Sequence, residues 1–328
     1  MLLIHSEPRR ILQPALMKRD SPQGICSSDA TASVLKATMN IFPATVNRKE
    51  GYMPNPPRSI VLINGLWMTA LSWENWTKRY TDKGFRVIAR SWPGMDIDIN
   101  ELRRNPSSIA TLGITEIVDY YEKIIKELDS APIIIGHSFG GLMTQILIDR
   151  GLGAAGVAIA PAPVKGIVLL PFSTLKVSFP ALSNPANMHR AVPLTSEQFH
   201  YAFTNNLSDE ESLAVYNRYA VPGPDHVLFQ AAFANFNPHA ATAVDFQNND
   251  RAPLLLISGG NDHVSPASVV EANFKLYRKS MAVTEYREFP ERTHYTLGQD
   301  GWEEVADYAL NWCLSKASER RTQPELRA

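Results

Sequence analysis

The 328-residue chain has only two cysteines, Cys26 and Cys313, near its opposite ends. They make neither a disulfide framework nor a thiolate metal cluster, and a reducing, cytoplasmic setting is the default expectation. The chain also lacks an excess of either charge. Its 32 basic residues face 33 acidic ones, for a formal net charge of −1. Nucleic-acid binding needs a basic surface, so no nucleic-acid partner is expected. No apolar run reaches the length of a membrane span, and residues 1–7 turn polar too soon for a signal-peptide core. Internal repeats are absent. The pair Gly259–Gly260 has no G-x-x-x-x-G-K context around it, so it does not read as a phosphate cradle.

What is present is a hydrophobic fraction of 45%, enough for a sizeable core. Residues 1–57 stand apart from it. Prolines, serines and basic residues are scattered there without periodicity, which predicts a poorly ordered N-terminal extension. Its mild basic excess also admits organelle targeting. Met53-Pro54-Asn55-Pro56-Pro57 reads as an extended linker. From Ser59 onward, short β-branched runs alternate with helical patterns. Strands are predicted over 60–63, 85–89, 132–135, 156–160, 253–257 and 283–289. Helices are predicted over 72–84, 115–128, 139–150, 266–279 and 302–314, and a surface loop over 96–108. Such alternation implies an α/β fold with a mostly parallel, doubly wound sheet. Residues 163–251 break the rhythm and predict a largely helical cap insertion, with helix starts at Thr195-Ser196-Glu197-Gln198 and Ser208-Asp209-Glu210-Glu211. The core is then 58–162 plus 252–316, with a C-terminal tail over 317–328.

The stretch Ile133-Ile134-Ile135-Gly136-His137-Ser138-Phe139-Gly140-Gly141 carries the chemistry. An apolar strand runs into G-x-S-x-G and then into a helix. A serine on so tight a turn adopts a strained backbone, and strand and helix approach closely. Gly136 and Gly140 leave no Cβ to collide. Ser138 is thereby set at a helix N-terminus, where free N–H groups favour negative charge. The His137 side chain is expected to point away from the site.

A serine nucleophile needs a base, and the base an orienting acid. On a parallel sheet both come from loops at the carboxyl ends of strands. The loop after residue 257 carries Asp262, and the loop after 289 carries His294. Ser–Asp–His is one of the known chain orders for this triad. Ile-Asn-Gly-Leu-Trp, Gly-His-Ser-Phe-Gly-Gly, Gly-Gly-Asn-Asp-His-Val-Ser-Pro and Arg-Thr-His-Tyr together resemble the α/β-hydrolase superfamily over residues 59–316. They look most like its small esterase, lactonase and cofactor-free haloperoxidase-like members. The resemblance implies an oxyanion hole made by the backbone N–H groups of Leu66 and Phe139. Family members most often carry His where this chain has Asn64. That departure touches the support of the loop and leaves the main-chain donors in place.

Ser138, Asp262 and His294 are therefore the expected catalytic residues of an ester- or lactone-cleaving serine hydrolase that uses no cofactor and no metal. Trp67, Phe172, Phe199 and Phe203 are the expected substrate contacts. The other large apolar residues of the insertion, Leu175, Phe179, Tyr201, Phe229, Phe233 and Phe236 among them, mostly hold it to the sheet. The partner is a small-molecule substrate. Two other functions use the same residues: a lyase or C–C bond hydrolase in which His294 moves a substrate proton, and a receptor-like protein that only binds. Oligomeric state and substrate identity do not read out from the sequence.

Overall fold

A computed structural model describes residues 57–322, so Cys26 and all of the expected N-terminal extension and linker except Pro57 lie outside the described residues. The chain enters at β1 (Ser59–Ile63). It continues through a 3-10 turn (Ala70–Trp73) into α1 (Glu74–Asp82) and β2 (Arg86–Ala89). Then come α2 (Ile99–Arg104), α3 (Ile114–Lys126), β3 (Ile133–His137), α4 (Phe139–Asp149) and β4 (Ala155–Ile159). The expected loop over 96–108 is thus a correction. Asp98 accepts hydrogen bonds from the N–H groups of Asn100 (3.0 Å) and Glu101 (3.1 Å), which caps α2. Pro106 then opens a second 3-10 turn, Pro106–Ile109.

Between β4 and the next sheet strand lie α5 (Phe172–Leu182), β5 (Ala191–Val192), α6 (Ser196–Phe203), α7 (Asp209–Tyr219), β6 (Gly223–Pro224) and α8 (Asp225–Ala232). Both expected helix starts form capping boxes, Thr195 with Gln198 and Ser208 with Glu211. β5 and β6 make a small antiparallel ribbon. The sheet resumes with β7 (Leu254–Gly259), α9 (Ala267–Leu276), β8 (Thr284–Phe289) and α10 (Trp302–Thr322). α10 outruns the expected end near 314 because no Gly or Pro interrupts it before Pro324, so part of the expected tail is helix.

The six long strands are all parallel, in the order β2-β1-β3-β4-β7-β8. Their side chains alternate between two apolar layers. Val61, Ile63, Ile134, Ala158, Leu254 and Leu256 pack with α3, α4 and α9. Ile60, Leu62, Ile133, Ile135, Val157 and Ile257 pack on the opposite face with α1 and α10. Strand order reverses at β1, which has β2 on one side and β3 on the other. The carboxyl ends of β1 and β3 therefore border a topological switch point, where open α/β sheets bind ligands.

Candidate active site

Ser138 sits between β3 and α4 with φ 55° and ψ −120°. An L-residue enters that region only when its surroundings impose it. The imposition is visible. The Ser138 N–H donates to the Ile159 carbonyl (2.9 Å), and the Ser138 carbonyl accepts from Leu142 (3.1 Å) and Ala162 (3.0 Å). A Cβ on Gly136 would lie 2.0 Å from the Gly140 oxygen, and one on Gly140 would lie 2.1 Å from the Ile63 oxygen. Helix and strand cross this closely only with glycine at both places. Phe139 is the first residue of α4, so its N–H has no acceptor within the helix.

The loop after β1 carries Asn64, Gly65 and Leu66. A Cβ on Gly65 would lie 2.7 Å from Ser138 Cβ, which places this loop directly against the serine. Among the described residues, the Leu66 N–H donates to no partner. Asn64 Nδ2 donates to the carbonyls of Met68 (2.7 Å) and Gly65 (3.1 Å), and Trp92 Nε1 donates to the Asn64 carbonyl (3.1 Å). Asn64 thus braces the loop that the sequence left in doubt.

Asp262 and His294 come together from the loops after β7 and β8. His294 Nδ1 donates to Asp262 Oδ2 at 2.7 Å, with both side chains buried. The other oxygen, Oδ1, accepts from the N–H groups of Val264 (2.7 Å) and Ser265 (2.8 Å). One carboxylate is therefore fixed by its own turn and still free to hold the imidazole. With the proton on Nδ1, His294 Nε2 keeps its lone pair, and it has no hydrogen-bond partner among the described residues. Gly259 and Gly260 let the two loops meet. A Cβ on either would come within 2.3 Å of a carbonyl oxygen, that of Arg292 or Pro290.

His137 packs against the histidine loop. Its Nε2 donates to the His294 carbonyl (2.8 Å), and the two rings pack 4.6 Å apart. Burial, and then the neighbouring His294, hold its pKa well below the usual histidine value, so it stays a neutral donor. It links the serine turn to the histidine loop. No spacing in the sequence reveals this.

Of the four expected substrate contacts, three gather here. Phe203 lies edge-on to His294 (4.8 Å) and to Trp67 (6.4 Å), and Phe199 stacks on Phe203 (4.7 Å). Trp67 has φ 63° and donates from Nε1 to the Val192 carbonyl (3.2 Å). It also borders a cavity of about 270 Å³ lined by Leu194, Tyr216 and Val221. Phe172 does not join them. It is 79% exposed at the start of α5 and is not among the rings packed on His294. Among the described residues, no group of three or more His, Cys, Asp or Glu side chains is placed to hold a metal ion.

The model of the alpha/beta hydrolase family matches residues 60–308. A monoacylglycerol lipase from Paleococcus ferrophilus superposes with a TM-score of 0.54 at 20% identity, covering 80% of this chain and 96% of that one. An extracellular alpha/beta-hydrolase from a Paenibacillus species, described as sharing homology with tobacco salicylic acid binding protein 2, gives 0.56 at 19%, covering 78% and 98%. A thermophilic esterase from Thermogutta terrifontis gives 0.54 at 16%, covering 80% and 92%. At these identities the likeness carries the fold alone. No curated protein sequence matches the chain. The family match spans most of the chain, and it falls on the same strands and turns that build this site: the protein belongs to the alpha/beta hydrolase family.

Proposed function

We propose that the protein is a serine hydrolase that cleaves an ester or lactone of a small, moderately apolar molecule through an acyl-enzyme on Ser138. The observation that carries this is the buried His294–Asp262 bond, which leaves Nε2 of the histidine free as a base at the sheet end where Ser138 sits on a strained turn. His294 takes the Ser138 proton as Oγ attacks the substrate carbonyl. Asp262 orients the imidazole and stabilises its charged form. The N–H groups of Leu66 and Phe139 receive the oxyanion, each worth roughly 3 to 4 kcal/mol in the transition state. His294 then gives its proton to the leaving alcohol. Water, activated by the same nitrogen, releases the acid.

The segment between β4 and β7 acts as the cap. The structural neighbours bear esterase and lipase names, which agrees with ester chemistry. The triad side chains are almost fully buried, Ser138 at 4% and His294 at 0% exposure, so substrate enters when Phe203 and its neighbours shift. Trp67 and Phe203 are proposed to wall a chamber over Ser138, with Phe199 stacked on Phe203. A chamber of this kind discriminates chain length weakly, at about 0.8 kcal/mol or roughly fourfold per methylene. A panel of acyl esters and lactones, assayed with the wild type and Ser138→Ala, tests the reading. Turnover should vanish in the folded variant for every substrate the wild type accepts. Full activity in that variant would overturn the mechanism.

A further inference from the structure

Helix α5 is amphipathic in the wrong sense. Val177 and Ala181 are buried, and Thr174 Oγ1 donates to the Val264 carbonyl (3.0 Å). On the other side Phe172, Leu175 and Phe179 face solvent, Phe179 at 69% exposure. The spacing i, i+3, i+7 ordinarily marks a core face. The loop before it adds Val168 (85% exposed), Leu169 and Leu170. Leu175 and Phe179 were expected to fasten the insertion to the sheet, and they do not.

The patch continues onto the end of α8. The Gly166 N–H donates to Asn235 Oδ1 (2.7 Å), and Asn235 Nδ2 donates to the Ile167 carbonyl (2.7 Å). Phe233 and Phe236 flank Asn235 and are also exposed. Eight of the thirteen exposed large apolar residues in the described chain fall on these two stretches. Scattered apolar residues are ordinary on a surface, whereas a cluster of this kind marks a contact site.

The two stretches themselves carry charge of one sign. No Asp or Glu occurs from residue 151 to 196, while Lys165, Lys176 and Arg190 do. Glu197 lies beside Lys176, and Arg150 is paired with Asp119 and Glu122 of α3. Residues 226–244 also contain no acid. Lys176 is exposed on α5 between Leu175 and Phe179. In a chain of net charge −1, this is a local departure. Protein interfaces are enriched in aromatic residues, Met and Arg and depleted in Lys. This patch is Leu, Val and Phe with lysine. That composition matches a helix lying in a lipid headgroup layer, its apolar side inserted and Lys176, now over the Tyr201 ring, within reach of anionic phosphates. At 11 residues α5 is far too short to span.

We propose that α5, the loop before it and Phe233–Phe236 dock the protein onto an anionic lipid surface. Val264 lies two residues from Asp262, so the docked helix is bonded to the loop of the candidate catalytic acid. Substrate partitioned into lipid would meet the site there. That last link rests on the proposed hydrolase function, whereas docking itself does not.

The test is flotation of the full-length protein with vesicles of phosphatidylcholine alone, or of phosphatidylcholine with one-third phosphatidylglycerol, at low and high salt. Binding is expected to the anionic vesicles and to weaken with salt. Leu175→Ser/Phe179→Ser should reduce it at least tenfold (about fourfold per methylene withdrawn from lipid). Lys176→Glu should reduce it by about fivefold or more. Hydrolysis of a water-soluble ester should persist in both variants, which shows that they are folded. Binding that persists in Ser138→Ala separates docking from catalysis. Failure of the wild type to float with anionic vesicles, or equal binding by the variants, would overturn the proposal. So would a dimer in light scattering that Leu175→Ser/Phe179→Ser dissociates, since a second copy would then own the patch.

Discussion

Gly65→Ala adds one methyl group at the most crowded point of the site. The backbone at Gly65 is not left-handed, so alanine meets no dihedral penalty there. The new Cβ would lie 2.7 Å from Ser138 Cβ, 3.1 Å from the His137 carbonyl and 3.3 Å from Ser138 Oγ. Ordinary contact begins at 3.4 Å, so something retreats by about 0.7 Å. The serine turn has nowhere to go, because Gly140 already lies against the Ile63 carbonyl. The loop with Leu66 moves instead and carries its N–H away from the oxyanion position. A donor there is worth roughly 3 to 4 kcal/mol, and losing about half of that slows turnover roughly twentyfold. Overpacking costs about 1–3 kcal/mol, or a melting temperature lower by several degrees. Steady-state kinetics on a chromogenic aryl ester, with a thermal melt alongside, reads both. Should kcat/KM stay within threefold of wild type while the melt shifts, the Leu66 loop does not hold the oxyanion.

Two further perturbations address groups outside the triad. Asp225 is buried, with neither carboxylate oxygen hydrogen-bonded among the described residues, and burial pushes its pKa up to about 7. The unfolded carboxyl ionises near pH 4 and the folded one near 7, so the folded state keeps a proton the unfolded state has lost. Asp225 therefore costs stability increasingly as pH rises between those values, by at most about 4 kcal/mol above them. Asp225→Asn should gain stability at pH 8 relative to its effect at pH 4 in urea titrations, and an equal effect at both would refute the burial argument. His137→Leu leaves the His294 carbonyl unpaired, at a cost of about 1–3 kcal/mol. It should lower kcat about tenfold with little change in KM while Ser138 still reacts with a phosphonate, and unchanged kcat would deny His137 a positioning role.

Much of the sheet was legible because its inner strands are buried on both faces. Ile60 to Ile63, Ile133 to Ile135 and Leu254 to Ile257 read as unbroken apolar runs, and parallel order followed from the alternation with helices. Asp262 and His294 were legible because each stands in the polar loop that directly follows a strand, at the sheet end of the serine turn. Their 2.7 Å bond follows from a close approach that glycines 259 and 260 permit. α2 escaped because a single cap, Asp98, starts a helix with few apolar residues. His137 escaped because its partner is a carbonyl 157 residues away. The positive φ of Trp67 and Ala160 has no residue-type signal, since neither is glycine. Leu175 and Phe179 misled because apolar residues in an insertion suggest a covered face, without saying what covers it.

The most direct measurement is intact-mass spectrometry of the protein quenched during turnover of an aryl ester, followed by peptide mapping. An acyl group should appear on the peptide containing Ser138, form at the rate of the product burst, and be absent from Ser138→Ala. Product release with no covalent adduct, or with the adduct on another residue, would contradict catalysis through Ser138.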